Sequence, residues 1–339
     1  MDLSERKKKI LSAVINEYIR TGEPVGSKAL MGLEDLLVSS ATIRNEMSDL
    51  EEMGYLMKPH TSAGRIPSNE GYRYYVKTSL NPYNLTPLDI AQLSMHSSAC
   101  AGLNEIIKET AARLASFSGC TVFAVSPIST GGVFTFEVMP SGKRTLAIMA
   151  IGSNGGVKTC FAKTSRDITP EDSSKLTKVF NSVLSGFSVD KIGKVRMLLL
   201  ESEIKKTCSG IIENFDTVNR LMQQLQSYEL CISGSANLLA YPEFSSIEVA
   251  RQYIELLSKH EYISDVLLKD TTPNDIVIKI GSENKIFANP NASTVSQGCN
   301  SKVPVILGLM GPTRMDYARI KAGFGYIMKL LKDIIDEEF

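Results

Sequence analysis

The strongest constraint on this chain is the order of pattern and punctuation in residues 1–80. Ile10, Leu11, Val14, Ile15, Tyr18 and Ile19 recur at three-and-four spacing, which puts them on one face of a helix from about Ser4 to Thr21. Gly22 supplies its stop. A short second helix is predicted over about Ser27–Leu33, with Gly32 near its end and a loop over Glu34–Val38. Ser39 or Ser40 can cap a third helix that runs to Met53, and Gly54 ends it. Tyr55–Lys58 reads as a short strand and Thr61–Gly64 as a turn, with Gly64 permitting a tight tip. Arg65 and Ile66 begin the returning strand, and Ser68 caps a further helix carrying Tyr72, Tyr75 and Val76. Helix, helix, turn, helix, two-stranded ribbon is the order of a winged helix-turn-helix.

The third helix has two unlike faces. Ile43, Met47 and Leu50 form the side that packs inward, leaving Ala41, Thr42, Arg44, Asn45 and Ser48 outward or sideways. Small residues let a helix enter the major groove, and Arg and Asn offer paired hydrogen-bonding groups to base edges. A polar outward face alone equally describes a solvated surface helix. The ribbon shifts the balance, because Lys58, His60, Thr61, Ser62 and Arg65 gather where they can lie against phosphates or enter the minor groove. The candidate DNA-binding residues are therefore Ser39, Ser40, Thr42, Arg44, Asn45 and Ser48 of the helix and those five of the ribbon. Lys7, Lys8 and Lys9 could add backbone contacts, although such runs are ordinarily just solvated.

Charge opposes this reading. The chain carries 37 basic and 37 acidic residues, and in residues 1–80 eleven of each cancel. Glu46, Asp49, Glu51 and Glu52 crowd the later part of the third helix. DNA binding then requires that opposite charges be segregated in space, with modest non-specific affinity.

At 339 residues the chain is long enough for two or three domains of roughly 100–200 residues. Thr86-Pro87-Leu88-Asp89 and Thr169-Pro170-Glu171-Asp172 are both helix starts, with proline at the first position and acid in the first turn. Residues 86–126 read as a long helical pattern and then a strand. Three strands are predicted at Val133–Met139, Arg144–Ile151 and Val157–Phe161, turning at Ser141-Gly142 and Asn154-Gly155, which implies an antiparallel meander. Helices follow at about 170–185 and 199–227. The last third has a helix over about Ser246–Lys259, strands at Asp275–Ile280, Ser293–Gln297 and Val303–Met310, and a final helix from Thr313. Its stripe is Ile320, Phe324, Ile327, Leu331 and Ile334.

Sites for other chemistry are weak. The six cysteines form no C-x-x-C pair and read as free thiols. His60, His96 and His260 share no motif, and no Walker loop or G-x-S-x-G elbow is present. Gly152, Gly155 and Gly156 are explained as turn residues. Neither catalysis, metal nor cofactor is expected. The opening MDLSERKKKILS is charged, and no run approaches the roughly 20 apolar residues of a membrane span, so the cytoplasm is the expected compartment and no membrane the expected partner.

Residues 38–76, VSSATIRNEMSDLEEMGYLMKPHTSAGRIPSNEGYRYYV, resemble the HrcA family of heat-inducible repressors of bacterial chaperone operons. SSATIRNEM and HTSAGRIP carry the likeness, and GPTRMDYARI at 311–320 resembles a second hallmark. The resemblance implies an α+β protein with a winged helix at 1–80. It further implies a GAF-like domain from 86–126 with 228–339, interrupted by a dimerisation domain at 127–227 built on the meander. It also implies a homodimer on an inverted-repeat operator in double-stranded DNA, with the GroEL chaperonin keeping the repressor active. The rival expectation is a ligand-sensing regulator, with Arg314, Asp316 and Tyr317 lining a site in the GAF-like domain; against it, Thr313 and Asp316 would form a capping box and Arg314 a surface or interface charge.

Overall fold

The structure is a computed structural model, described here for all residues except 1–2, 32–37, 61–62, 95–101, 128–133, 153–156, 188–191, 193, 209–210, 214, 226–227 and 339. It is an α+β fold with a five-stranded and a three-stranded antiparallel sheet, plus a two-stranded ribbon.

Helix α1 (Glu5–Thr21) is capped by Ser4 and closed by Gly22, whose φ of 71° is the left-handed region glycine tolerates. Its stripe Ile10, Leu11, Val14 and Ile15 is buried. Residues 27–31 do not form the predicted helix. They make successive turns, with Ala29 N–H donating to Gly26 and Met31 N–H to Lys28. Gly26 and Ser27 open this stretch with little helix preference, and Val25 just before it is drawn into a pairing with Arg65. The rest of that expected helix, and most of the loop after it, lies outside the described residues. Helix α2 (Ser40–Glu52) is capped by Ser39, which accepts from Thr42 N–H. The ribbon is β1 (Leu56–Met57) against β2 (Ile66–Pro67), and α3 (Asn69–Thr78) follows, capped by Ser68.

Helices α4 (Pro87–Leu93) and α5 (Leu103–Ser118) lead into β3 (Thr121–Pro127). Strand β3 lies between β7 (Tyr228–Ser233), which the sequence pattern did not predict, and β10 (Val305–Pro312). Beyond β10 come β9 (Ala292–Cys299) and β8 (Val277–Ile280), giving the order β7-β3-β10-β9-β8. Alternation assigns the faces. Val122, Ala124, Val305, Leu307 and Leu309 join a core with α5 and α11 (Tyr317–Glu338). Phe123, Val125 and Met310 face α9 (Ile247–Leu257) and α10 (His260–Asp270). Gly308 lies on this second face, where a Cβ would come within 2.7 Å of Leu267 of α10. Helix α10 is a second helix where one was predicted, because Ser258-Lys259 ends α9 and the chain restarts at His260. The final helix begins at Tyr317 rather than Thr313. The capping oxygen is that of Asp316, which accepts from Arg319 N–H at 3.0 Å.

Between β3 and β7, residues 134–225 build a separate core. Strands β4 (Thr135–Gly142), β5 (Thr145–Ile151) and β6 (Val157–Lys163) form the predicted meander, and α6 (Pro170–Leu184), α7 (Lys194–Cys208) and α8 (Asp216–Leu225) cover one face. The first turn is Lys143-Arg144 rather than Ser141-Gly142, and Arg144 takes the left-handed position at φ 53°. The Asn154-Gly155 turn lies outside the described residues. The helix predicted over 199–227 is two. Residues 211–213 leave helical geometry to extend the sheet, Ile212 bridging Thr164 and Glu213 N–H reaching Lys163. The outer edge of β4 is occupied by α6: Asn181 accepts from Phe136 N–H and donates back to its carbonyl, and Thr177 accepts from Val138 N–H.

The N-terminal segment shares its apolar core with the five-stranded sheet. Arg73 of α3 pairs with Glu283 at 2.9 Å and donates to the Ile280 carbonyl, and Tyr72 meets Tyr317. The connection to the body is locked at Asp89. Its carboxylate accepts from Thr86 N–H, Thr86 and Tyr83 hydroxyls and the Arg319 guanidinium. The Thr86 backbone bond and then Arg319 hold the carboxyl well below the usual aspartate range. A depressed folded-state value stabilises fully above the ordinary value of about 4 and is lost as pH falls below it. Asp89→Asn should therefore melt some degrees lower than the parent at neutral pH, with the gap closing as the parent is titrated below about pH 4. Thermal scans from pH 7 to pH 3 check this; a constant gap would show that Asp89 contributes nothing through its charge.

Candidate nucleic-acid interface

Helix α2 and the ribbon form one surface because three strands of chain are tied behind them. Val25 and Arg65 exchange both backbone hydrogen bonds, at 2.8 Å each. Gly64 allows that approach, since a Cβ there would lie 2.4 Å from the Val25 carbonyl oxygen. Close backbone contact, rather than a tight tip, is its requirement. A hollow of about 270 Å³ remains between this pairing and α2, lined by Ser27, Arg44, Met47 and Ala63 among others.

On α2, Ile43, Met47 and Leu50 are buried as the periodicity required. Arg44 and Asn45 are exposed, and neither has a hydrogen bond or ion pair among the described residues. Ser48 is half-buried beside them. Ser39 and Thr42 are engaged with each other at the cap, and Ser40 bonds Ser27 at 2.9 Å. Lys58 and His60 are exposed on the ribbon, while Thr61 and Ser62 lie outside the described residues. Arg65 differs from these. Its side chain is turned inward onto Glu51 at 2.7 Å.

The crowded acids of α2 are largely neutralised from behind. Lys7 Nζ sits between Glu46 at 2.7 Å and Asp49 at 2.8 Å, and Arg6 adds a contact to Glu46. Those carboxylates, Asp49 first, raise the Lys7 pKa above its ordinary value. Glu51 takes Arg65 and, at 3.7 Å, Lys58. Glu52 remains exposed. Glu46 and Asp49 are thus countered from α1 and Glu51 from the ribbon, and Lys7 is occupied as a clamp rather than free for a phosphate. No sequence signal links Lys7 to Glu46 and Asp49, because the pairs are made by helix packing, not by spacing along one helix.

The residues considered for ligand sensing are structurally engaged. Arg314 pairs with Glu243 and lies over Tyr241, with its guanidinium against Gly22, so it is an intrachain tie rather than an interface charge. Tyr317 is fully buried, its hydroxyl donating to the Thr313 carbonyl and paired with the Ser293 hydroxyl at 3.0 Å. Asp316 caps α11. The five described cysteines are free, and burial pushes the Cys120 thiol to about 12. No group of three or more metal-binding side chains occurs among the described residues, and no helix there is long and apolar enough to cross a membrane.

A family model described as the HrcA protein C terminal domain matches residues 104–320. The heat-inducible transcription repressor HrcA of Acetivibrio thermocellus is 34% identical over 341 residues, covering 99% of this chain and 97% of its own. That of Moorella thermoacetica is 36% identical over 329 residues, covering 94% of each. A crystal structure described as a hypothetical protein at 2.2 Å resolution matches 99% of both chains with a TM-score of 0.62 at 22% identity, which is a likeness of fold.

Proposed function

The chain belongs to the HrcA family of heat-inducible transcription repressors, and from that premise we propose that residues 1–80 are a winged helix that reads an inverted-repeat operator as part of a homodimer. In this reading α2 enters the major groove, the ribbon lies on the backbone or in the minor groove, and paired heads exclude polymerase. Dimer symmetry then matches operator symmetry. Residues 86–126 with 228–339 form a GAF-like body, and 127–227 an inserted dimerisation domain. The protein acts in the cytoplasm, and the GroEL chaperonin maintains its active form.

The observation that carries the DNA reading is the contrast along α2. Arg44 and Asn45 stand exposed and unpartnered among the described residues, while Glu46, Asp49 and Glu51 on the same helix are held by cations of the protein itself. Ser48 follows that pair on α2, Lys58 and His60 are exposed in the segment after β1, Thr61 and Ser62 remain candidates outside the described residues, and Ser39, Ser40 and Thr42 sit near the helix N-terminus, where a phosphate is favoured.

Arg44→Ala and Asn45→Ala are each expected to weaken operator binding by about 1–3 kcal/mol while changing random-duplex binding less. Lys58→Ala should weaken both alike, because phosphate carries no sequence. Competition gel shifts on the two DNAs measure this. Equal losses on both for Arg44→Ala would make it a backbone contact.

A further inference from the structure

Arg65 stands apart from the other basic candidates. The side chain of Lys58 is 41% exposed, but that of Arg65 is 12% exposed and ion-paired with Glu51 at 2.7 Å. Its peptide is fixed in both directions by Val25, and the glycine before it has no room for a side chain. An arginine held this way could reach a phosphate only by giving up its 2.7 Å pairing and leaving the half-buried Glu51 to Lys58, at 3.7 Å. Glu51 lies in the last turn of α2 and faces both arms of the ribbon. Arg65, entering β2, is held close, and Lys58, leaving β1, is held loosely at 3.7 Å.

Resting on the reading of residues 1–80 as a DNA-binding head, we propose that Glu51 and Arg65 form a positioning pair for operator recognition. Arg65 touches no nucleic acid. It fixes the ribbon at one distance from α2, so that the base-reading side chains and the strands of the ribbon engage the duplex together.

The two roles open to Arg65 differ in sign when Glu51 is neutralised. If Arg65 were a phosphate ligand, Glu51→Gln would release it, remove a negative charge from the surface and tighten binding to any DNA. If the pair positions the ribbon, the same change weakens operator binding although the head becomes more positive.

The test uses the full-length protein with Glu51→Gln, Arg65→Met and the exchanged pair Glu51→Arg with Arg65→Glu. Labelled operator and random duplexes are titrated at several salt concentrations, with urea midpoints to monitor folding. Glu51→Gln and Arg65→Met should each weaken operator binding about tenfold. Neither should alter the slope of log affinity against log salt, and the exchanged pair should recover most of the loss. Tighter binding of Glu51→Gln to both duplexes would overturn the proposal. So would a salt slope reduced by about one unit in Arg65→Met, the signature of a lost phosphate contact. If Arg65→Met does not fold, the sign of the Glu51→Gln effect still decides. Arg44→Ala, run alongside, separates the premises: if it leaves operator affinity unchanged, α2 is not the reading helix and the positioning role falls with it.

Discussion

Replacing residues 128–227 by Asn-Gly is expected to give a folded monomer whose affinity for the full operator is lower by about a hundredfold or more. Pro127 and Tyr228 are already opposite each other in the β3–β7 register, so a two-residue turn joins strands that need not move. The excised segment has its own core, and the five-stranded sheet keeps both of its cores. What is removed is a module with exposed apolar side chains: Val195, Leu198 and Leu199 on α7, and Met139, Val157 and Phe161 on the strands. Met139, Ala147 and Phe161 align in one cross-strand row on the face away from the helices. In the proposed homodimer a single head would hold one half-site, and loss of the second would turn an intramolecular event back into a bimolecular one. Light scattering gives the mass, and gel shifts on full and half operators give the affinities. A persistent dimer would relocate the interface to the body or the head.

The second large effect concerns refolding. After dilution from denaturant, the fraction of protein competent for operator is expected to rise several-fold when chaperonin and ATP are present. The reason lies in the sheet. Strand β3 pairs with β10, Val122 facing Leu309, and with β7 across the whole inserted module. The sheet cannot close until nearly the entire chain is available, and such non-local pairings form slowly. Until then Val305–Met310 and Val122–Val125 are open apolar segments, prone to association. The head shares a core with that sheet, so an unclosed body leaves the head unsupported. Heat would act by titration, as other unfolded proteins occupy the chaperonin. Operator occupancy with and without chaperonin measures the effect. Full unaided recovery, with solubility kept through a heat step, would exclude titration for this protein.

Legibility followed the range of the interactions. Helix α1, α2 with its Ser39 cap, α3 after Ser68 and the two Thr-Pro starts were written in local pattern and appear in the structure. The strands of the meander were also legible, because alternation is local, although its first turn falls at Lys143-Arg144 rather than at Ser141-Gly142. Failures came where distant chain decided the outcome. Residues 27–31 turn beside a segment pairing with Arg65, and 211–213 straighten to meet Thr164. Strand β7 has little alternation of its own and is defined by β3. In the candidate interface, Arg44 and Asn45 were readable as outward-facing from spacing alone. The inward turn of Arg65 was not, because Glu51 belongs to another element, and neither was the clamp of Lys7 on Glu46 and Asp49.

The side chains laid along β4 have a consequence for how many copies can gather. An open strand edge can accept another strand, which exposes a further edge in turn, and growth of that kind has no natural end. Here Asn181 and Thr177 occupy that edge with their own donors and acceptors, and residues 211–213 take up the far end of β6. Among the described residues, exposed apolar side chains lie on the outer sheet face and on a flank of α7, and contact through such patches about a two-fold axis would cover both partners at once. Strand addition along β4 is thereby disfavoured, and in the proposed homodimer the contact would run through such patches rather than through a lengthened β4 edge.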